Sequence, residues 1–316
     1  MDITPNRSES RSRTADQPWN IEGSMIGPGT FDDGSAARYC KSLAEGHYEN
    51  FPVFLPLFKP AQREALAAIY TFARTADDFA DEPCFDGLRG RLLDGWESQL
   101  RKCFDGNSSH PAFIALARSR QEFDLPLEPF LNLLDAFRQD CRVKQYETFD
   151  DLLDYCRRSA NPVGRLVLRV MGIHSDETVR WSDSICTALQ LINFWQDLSV
   201  DIPRDRLYLP LEDLNRFELR SDRLTDRQYR KKTAALMEFE IGRTKDILTA
   251  GKPLVHHAPY PSKIYFAGVY TGGMAVLRMT SMLGPEAMVR RPSLRIRDLL
   301  GMAVYMSREK LRGMIQ

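Results

Sequence analysis

The segment from residue 190 to residue 201 constrains the fold of this chain more than any other. Its polar residues recur every three or four positions and therefore form one stripe of an α-helix: Gln190, Asn193, Asp197 and Asp201. Nearly all the rest of that helix is apolar, and Phe194 and Trp195 flank the acids. Burying an unpartnered polar stripe would be costly, so the pattern predicts that it faces a wet or ion-filled cavity. The alternative, a surface helix with its polar side in solvent, is disfavoured by the surrounding large apolar residues.

The remaining sequence predicts an all-α fold. Apolar residues recur at helical spacing from Ser35 onward, and alternating β-type runs are scarce. We predict a single-domain helical bundle over residues 34–316, around a central cavity, preceded by a disordered, polar extension over residues 1–33. The predicted helices cover residues 35–48, 60–82, 87–104, 110–123, 127–141, 150–157, 161–173, 176–201, 224–250, 263–283 and 294–314.

Charge and cysteine content exclude several classes of protein. The 43 Lys and Arg residues balance the 43 Asp and Glu residues, so no overall field attracts nucleic acid. The six cysteines form no CxxC pair, which argues against a structural zinc site and favours a reducing, cytoplasmic setting. The longest uncharged run, Ile264 to Leu277, is too short to span a bilayer, so we predict a buried helix there.

A second acidic cluster ends the helix predicted at residues 60–82. Asp77 and Asp81 are four residues apart and share one face, with Asp78 beside them and Tyr70 and Arg74 upstream on nearly the same stripe. Like charges at this spacing repel one another, and the helix dipole disfavours anions at a C-terminal end. The cluster is therefore either a solvated acidic helix end or a cation site.

Two such clusters across a cavity would hold hard cations through carboxylate oxygens, with a diphosphate bridging the metals. Mg²⁺, in two or three copies, is the cation that this chemistry favours. Guanidinium groups match phosphate geometry and would neutralise a leaving pyrophosphate. The predicted ligands are Asp77, Asp78, Asp81, Asp197 and Asp201, and the predicted phosphate-binding residues are Arg74, Arg204 and Arg206.

These segments resemble the squalene/phytoene synthase family over about residues 35–285, and the resemblance implies a helical bundle of the isoprenoid-synthase type. Residues 70–82 and 190–201 are similar to its first and second aspartate motifs, and residues 203–210 resemble its basic stretch ending in Tyr208-Leu-Pro. Residues 146–156 and Val163-Gly164 match its intervening helices. Two departures, at residues 49–53 and 159–162, look like the bacterial hopanoid-pathway branch of hydroxysqualene synthases, the HpnC type. Gln196 replaces the family's usual Arg, so no phosphate role carries over to that position.

The resemblance implies Mg²⁺-assisted loss of pyrophosphate from presqualene diphosphate, followed by cation rearrangement and capture by water to give hydroxysqualene. It implies catalytic roles for Asp77, Asp81, Asp197, Asp201, Tyr70 and Asn193, and substrate contacts at Arg74, Asn161, Gln190, Arg204, Arg206, Tyr208, Phe51 and Tyr270. Asn161 or Asn193 would orient the water. Aromatic rings would line an apolar tunnel, although core packing explains each ring singly: Phe51, Phe54, Tyr70, Phe137, Phe194 and Tyr270.

The resemblance also implies partner enzymes: a companion presqualene diphosphate synthase and a flavin-dependent hydroxysqualene reductase. No nicotinamide or flavin is expected in this chain, which has no GxGxxG motif after a strand. Oily substrates and products favour peripheral contact with the inner membrane face, although no basic amphipathic helix stands out.

Two other functions stay open. Within the family, the chain could condense two farnesyl diphosphates to presqualene diphosphate or squalene, or make phytoene. In another class, it would be a non-catalytic assembly protein with a synthase-like fold, which predicts degraded clusters where this sequence keeps all five aspartates.

Overall fold

The computed structural model describes residues 31–46 and 58–292 and confirms the all-α prediction. Within these ranges twelve α-helices are joined by short loops and 3-10 turns, and the one β-type pairing is an isolated bridge between Gln145 and Leu207. The helices are α1 Asp33–Gly46, α2 Pro60–Asp81, α3 Arg89–Phe104, α4 Pro111–Phe123, α5 Glu128–Asp140, α6 Phe149–Ser159, α7 Asn161–Met171, α8 Asp176–Asp201, α9 Leu211–Arg216, α10 Arg230–Ala250, α11 Pro253–His257 and α12 Ser262–Leu283.

The predicted boundaries are wrong mainly between α8 and α12. The helix predicted from residue 224 begins at Arg230, because residues 221–223 and 227–229 form separate 3-10 turns. The short helices α9 and α11 were not predicted, since six and five residues are too few to show a helical period. The predicted helix at 294–314, the segment with Phe51 and Phe54, and residues 1–30 of the predicted extension lie outside the described residues.

Two long helices, α2 and α8, carry the two acidic clusters, and α7 packs against both of them. The α2 helix buries an apolar face that includes Leu66, Ile69 and Phe72. The α8 helix is capped by Ser175, whose hydroxyl accepts a hydrogen bond from the Thr178 amide at 3.3 Å. This side-chain cap satisfies an amide that would otherwise have no helical partner. Both helices start at the protein surface, run through the apolar core and end at the acidic clusters.

Close contacts fix the position of α8 against its neighbours. A Cβ atom on Gly164 of α7 would lie 2.5 Å from Cys186 Sγ and from Ser182 Oγ, so only glycine permits this approach of α7 to α8. On the other side, Trp195 Nε1 donates a hydrogen bond of 2.8 Å to Thr244 Oγ1 of α10. These contacts leave little freedom for α8 to rotate, which holds the direction of its polar stripe.

The uncharged run from Ile264 to Leu277 lies within α12, as predicted for a buried helix. Phe266, Ala267 and Tyr270 are among its buried residues. In the part of the chain that the structure describes, no helix combines the length and apolar character needed to cross a bilayer.

Candidate active site

The first acidic cluster lies at the C-terminal end of α2, beside its own arginine. Arg74 Nη2 lies 2.5 Å from Asp78 Oδ1, and Arg74 Nη1 lies 3.5 Å from Asp77 Oδ2. The i,i+3 and i,i+4 spacings place these groups together, as the helical period predicts. Arg74 therefore offsets part of the negative charge that the helix dipole disfavours at this end.

Arg206 joins the two acidic motifs. Its guanidinium forms an ion pair with Asp81, the last residue of α2, although Arg206 itself follows the end of α8 by five residues. The charge of Arg206 also acts on Asp77 and Asp201, and that of Asp81 acts on Asp201. The C-terminal ends of α2 and α8 thus meet, and the first cluster is not an isolated helix end in solvent.

The second acidic row continues along the end of α8. Asp197 is paired with Arg291, whose Nε lies 2.5 Å from Asp197 Oδ1, and Gln196 Nε2 donates a 3.0 Å hydrogen bond to the Pro292 carbonyl. Asn193 is exposed and Gln190 is partly buried. Gln196 therefore binds the backbone of the segment that brings Arg291 to Asp197, while Arg291 supplies a cation next to this row.

Burial and mutual repulsion raise the pKa of several of these carboxyl groups. Burial raises the pKa of Asp78 to about 6 against the opposing effect of Arg74. Burial, followed by the charge of Asp197, raises the pKa of Asp201 to about 6. Burial also raises the pKa of Asp77. Such values are typical of acids held together in a functional site that lacks enough positive charge.

Asp77 lies where packed protein meets solvent. Burial raises its pKa, yet 46% of its side-chain surface is accessible to solvent. A cation in solution can therefore reach this carboxylate.

Asp140 and Tyr155 belong to the same site and were missed by the sequence reasoning. Tyr155 Oη donates a 2.8 Å hydrogen bond to Asp140 Oδ2, while Asp140 Oδ1 is buried without a hydrogen-bond partner among the described residues. Burial raises the pKa of Asp140 to about 7, and the charges of Asp77 and Asp81 act in the same direction. The only sequence signal was the place of Tyr155 in the segment that resembles the family's intervening helices.

Aromatic side chains form a wall beside this pair. The rings of Phe194 and Tyr208 stack with centroids 3.8 Å apart and planes at 8°, and Tyr146 stacks on Tyr208 at 5.9 Å. The Leu207 amide donates a 2.9 Å hydrogen bond to the Lys144 carbonyl, which anchors the backbone between Arg206 and Tyr208. Tyr208 and Arg206 therefore come from one anchored loop, whereas Phe194 lies on α8 and Tyr146 precedes α6.

The other predicted site residues occupy different settings. The Tyr70 hydroxyl is buried without a hydrogen-bond partner among the described residues, and burial raises the pKa of Tyr70 to about 12. Arg204 is exposed in the 3-10 turn after α8. Asn161 is buried and its Oδ1 accepts a 2.9 Å hydrogen bond from Thr187 Oγ1, so its amide joins α7 to α8. Tyr270 is buried in α12.

The donor set fits Mg²⁺, which prefers oxygen ligands. Among the described residues, no three His, Cys, Asp or Glu side chains already form a cluster able to hold an ion. The carboxylates are paired instead with Arg74, Arg206 and Arg291. The accessible carboxylate of Asp77 and the unpartnered oxygen of Asp140 leave oxygen donors available, and the acids outnumber these arginines.

Comparisons with known proteins agree with this fold. The squalene/phytoene synthase family model matches residues 44–297. A hydroxysqualene synthase of Rhodopseudomonas palustris is 36% identical over 65% of this chain and 70% of its own length. A phytoene synthase of Mycobacterium tuberculosis is 31% identical over 77% of this chain and 82% of its own. The crystal structure of squalene synthase HpnC from Alicyclobacillus acidocaldarius is 36% identical, with a TM-score of 0.75 over 84% of this chain and 98% of that one. The chain therefore belongs to the squalene/phytoene synthase family, and its resemblance to the HpnC type extends from sequence to structure.

Proposed function

We propose that this enzyme converts presqualene diphosphate into hydroxysqualene and pyrophosphate, with Mg²⁺ as its cofactor. The observation that carries the proposal is the meeting of the two acidic rows at Arg206, close to the stacked rings of Phe194 and Tyr208. The similarity to a hydroxysqualene synthase and to an HpnC structure, each at 36% identity, supports this choice within the family.

The reaction breaks the bond between carbon and the bridging diphosphate oxygen, and pyrophosphate leaves with the electron pair. Bound Mg²⁺ would stabilise the negative charge that develops on the leaving group. Asp77, Asp78, Asp81, Asp197 and Asp201 would hold the cation. Arg74, Arg206 and Arg291 would move their guanidinium groups from carboxylates to phosphate oxygens, which they match equally well.

The remaining steps need an apolar, water-restricted space. After the cyclopropylcarbinyl cation rearranges, the oxygen of one water forms the new bond to carbon, and one proton is released. Phe194 and Tyr208 stack face to face and would form an apolar wall that keeps other water away from the cation. Asn193 is the candidate for orienting the water, because it is accessible and lies one turn before Asp197. Asn161 is less suited, since its amide oxygen is engaged by Thr187.

Product analysis tests the proposal. Purified protein is incubated with Mg²⁺ and either presqualene diphosphate or farnesyl diphosphate, without a nicotinamide. We expect hydroxysqualene from presqualene diphosphate. Recovery of presqualene diphosphate unchanged, with turnover only from farnesyl diphosphate, would instead support the condensing or phytoene-forming alternative. The 31% identical phytoene synthase favours that alternative.

Variants separate catalysis from a non-catalytic, assembly role. Asp81→Asn and Asp201→Asn should each lower turnover by orders of magnitude while the helical circular dichroism stays at the wild-type level. Asp183→Asn is a matched control, because Asp183 also lies on α8 but is not part of the acidic row. Its carboxylate pairs with Arg165 at 2.8 Å. Loss of helicity in step with turnover would assign the acids a structural role.

The proposed reaction also places the enzyme between two others. One must supply presqualene diphosphate, and a flavin-dependent reductase would consume the hydroxylated product. We propose that exchange of these oily molecules takes place at the inner membrane face, where an enzyme of the cytoplasm reaches them. Mg²⁺-dependent activity should then rise when phospholipid vesicles carry the substrate.

A further inference from the structure

A buried charged cluster lies behind the site, between α9 and α10. Arg243 Nη2 lies 2.6 Å from Asp213 Oδ2 and 2.6 Å from Glu240 Oε2, and its Nε donates a 2.8 Å hydrogen bond to the same Glu240 oxygen. Asp213 is 4% exposed and Glu240 is 0% exposed. Two carboxyl groups thus depend on one guanidinium in a place where unpaired charge is costly.

Arg243 also contacts the start of α6. Its guanidinium carbon lies 3.5 Å from the centre of the Phe149 ring, which is cation–π geometry. The Phe149 amide in turn donates a 2.7 Å hydrogen bond to Glu212 Oε1 of α9. One side chain therefore joins the beginning of α6, the short helix α9 and the middle of α10.

The cluster is joined to the active site by a short, fully tethered stretch of chain. The segment 206–212 carries Arg206 and Tyr208 and leads directly into Asp213. Its backbone is hydrogen-bonded at three points: Leu207 to Lys144 at 2.9 Å, Leu211 to Tyr146 at 3.0 Å, and Glu212 to Glu147 at 3.0 Å. Arg243 contacts the continuation of both paired stretches, at Asp213 and at Phe149, so loss of its contacts would loosen the pairing that holds Arg206.

The same cluster is connected to the second acidic row. Thr244 Oγ1 donates a 2.7 Å hydrogen bond to the Glu240 carbonyl and accepts the hydrogen bond from Trp195, two residues before Asp197. Neighbouring residues of α10 therefore make both sets of contacts. Glu240 and Arg243 form the cluster with Asp213, directly after segment 206–212, and Thr244 contacts α8.

We propose that Arg243 is a positioning residue for the reaction, which holds segment 206–212 so that Arg206 and Tyr208 keep their places opposite the carboxylates. Its effect on ligand binding rests on the proposed function, because Arg206 is taken there as a diphosphate ligand. Arg243 itself contacts Asp213, Glu240 and the ring of Phe149, and acts on the ligand through Arg206. If the cluster were merely structural, breaking it would lower the stability of the protein. The effects of substitutions at Arg243 and Arg206 on ligand binding would then be independent of each other.

The experiment is a double-mutant cycle with Arg243→Gln, Arg206→Gln and the double variant. Binding of pyrophosphate in the presence of Mg²⁺ is measured by calorimetry, and amide hydrogen exchange is followed at Leu207 and Leu211. Arg165→Gln is the control. Arg165 on α7 forms a two-point pair with Asp183 on α8, at 3.1 and 2.8 Å, and neither residue belongs to segment 206–212.

We expect Arg243→Gln to weaken pyrophosphate binding about tenfold in the wild-type background and less than about twofold in the Arg206→Gln background, as for residues of one coupled network. Exchange at Leu207 and Leu211 should accelerate in Arg243→Gln but not in Arg165→Gln. Equal losses in the two backgrounds, or unchanged exchange at both amides, would overturn the proposal.

Two further variants keep the test decisive. If Arg243→Gln does not fold, the triple variant Asp213→Asn, Glu240→Gln, Arg243→Gln removes the charge imbalance. It should recover the thermal midpoint but not pyrophosphate affinity, whereas recovery of both would assign the cluster to stability alone. Arg243→Lys should restore stability better than affinity. If wild-type protein binds no pyrophosphate with Mg²⁺, the proposed function fails, while the exchange data still decide whether Arg243 holds the segment.

Discussion

Acidification should release Mg²⁺ and pyrophosphate from this enzyme over a narrow pH range. The pKa values of Asp78 and Asp201 are raised to about 6, so both predicted ligands gain protons as the pH falls through 6. A metal binds the deprotonated carboxylate, and its apparent affinity follows the deprotonated fraction. For a pKa of about 6 this fraction falls from about 0.9 at pH 7 to about 0.09 at pH 5. The two groups together predict a loss of about 100-fold, or about 2.7 kcal/mol.

The measurement is calorimetric binding of pyrophosphate with Mg²⁺ at pH 5, 6 and 7, in two buffers of different ionisation enthalpy. At pH 6 each group is about half protonated, so binding should release about one proton from these two carboxyl groups, and about half a proton less from Asp201→Asn than from wild type. Asp201→Asn should bind more weakly at pH 7 but lose only about tenfold between pH 7 and pH 5. Protonation of pyrophosphate itself is common to both proteins and cancels in the comparison. Parallel pH curves for wild type and variant would refute the assignment of Asp201 as a ligand that titrates near 6.

Two further predictions concern stability. Burial raises the pKa of Glu240 to about 8. Its contribution to the free energy of unfolding is therefore complete below pH 4.5 and is lost as the pH rises through 8. In urea unfolding, Glu240→Gln should be as stable as wild type at pH 5 and more stable by about 2–4 kcal/mol at pH 9. The same difference in stability at both pH values would show that ionisation of Glu240 is not its cause. Gly251→Ala should cost about 1–3 kcal/mol, because the new Cβ would lie 2.6 Å from the Trp181 carbonyl oxygen. Gly242→Ala on α10 meets nothing within 4 Å and should be neutral or stabilising by up to about 1 kcal/mol, so equal melting shifts would disprove the packing argument.

Much of the fold and part of the site could be predicted from local spacing. The helical period placed Asp77, Asp78 and Arg74 on one face, and the structure shows their ion pairs. The apolar surroundings of the second stripe predicted a helix held inside the protein, and Trp195 and Leu198 are buried in α8. Such features depend on residues within one helix, where sequence spacing determines distance.

Contacts between distant segments could not be predicted in this way. Asp140 ends an ordinary amphipathic helix, and its hydrogen-bond partner Tyr155 lies fifteen residues further on. Arg291 reaches Asp197 across 94 residues. The resemblance named Arg206 as a phosphate ligand, but its ion pair with Asp81 depends on how α2 and α8 meet. The arrangement of the helices, rather than any local pattern, creates these pairs.

The ion pairs of Arg74, Arg206 and Arg291 have a practical consequence for the isolated enzyme. Because these arginines already balance part of the acidic charge, we expect the fold to stay intact without divalent ions. For the proposed Mg²⁺-dependent reaction, a chelator such as EDTA should stop turnover reversibly and leave the melting temperature nearly unchanged. Preparations stored without metal should then regain full activity as soon as magnesium is restored.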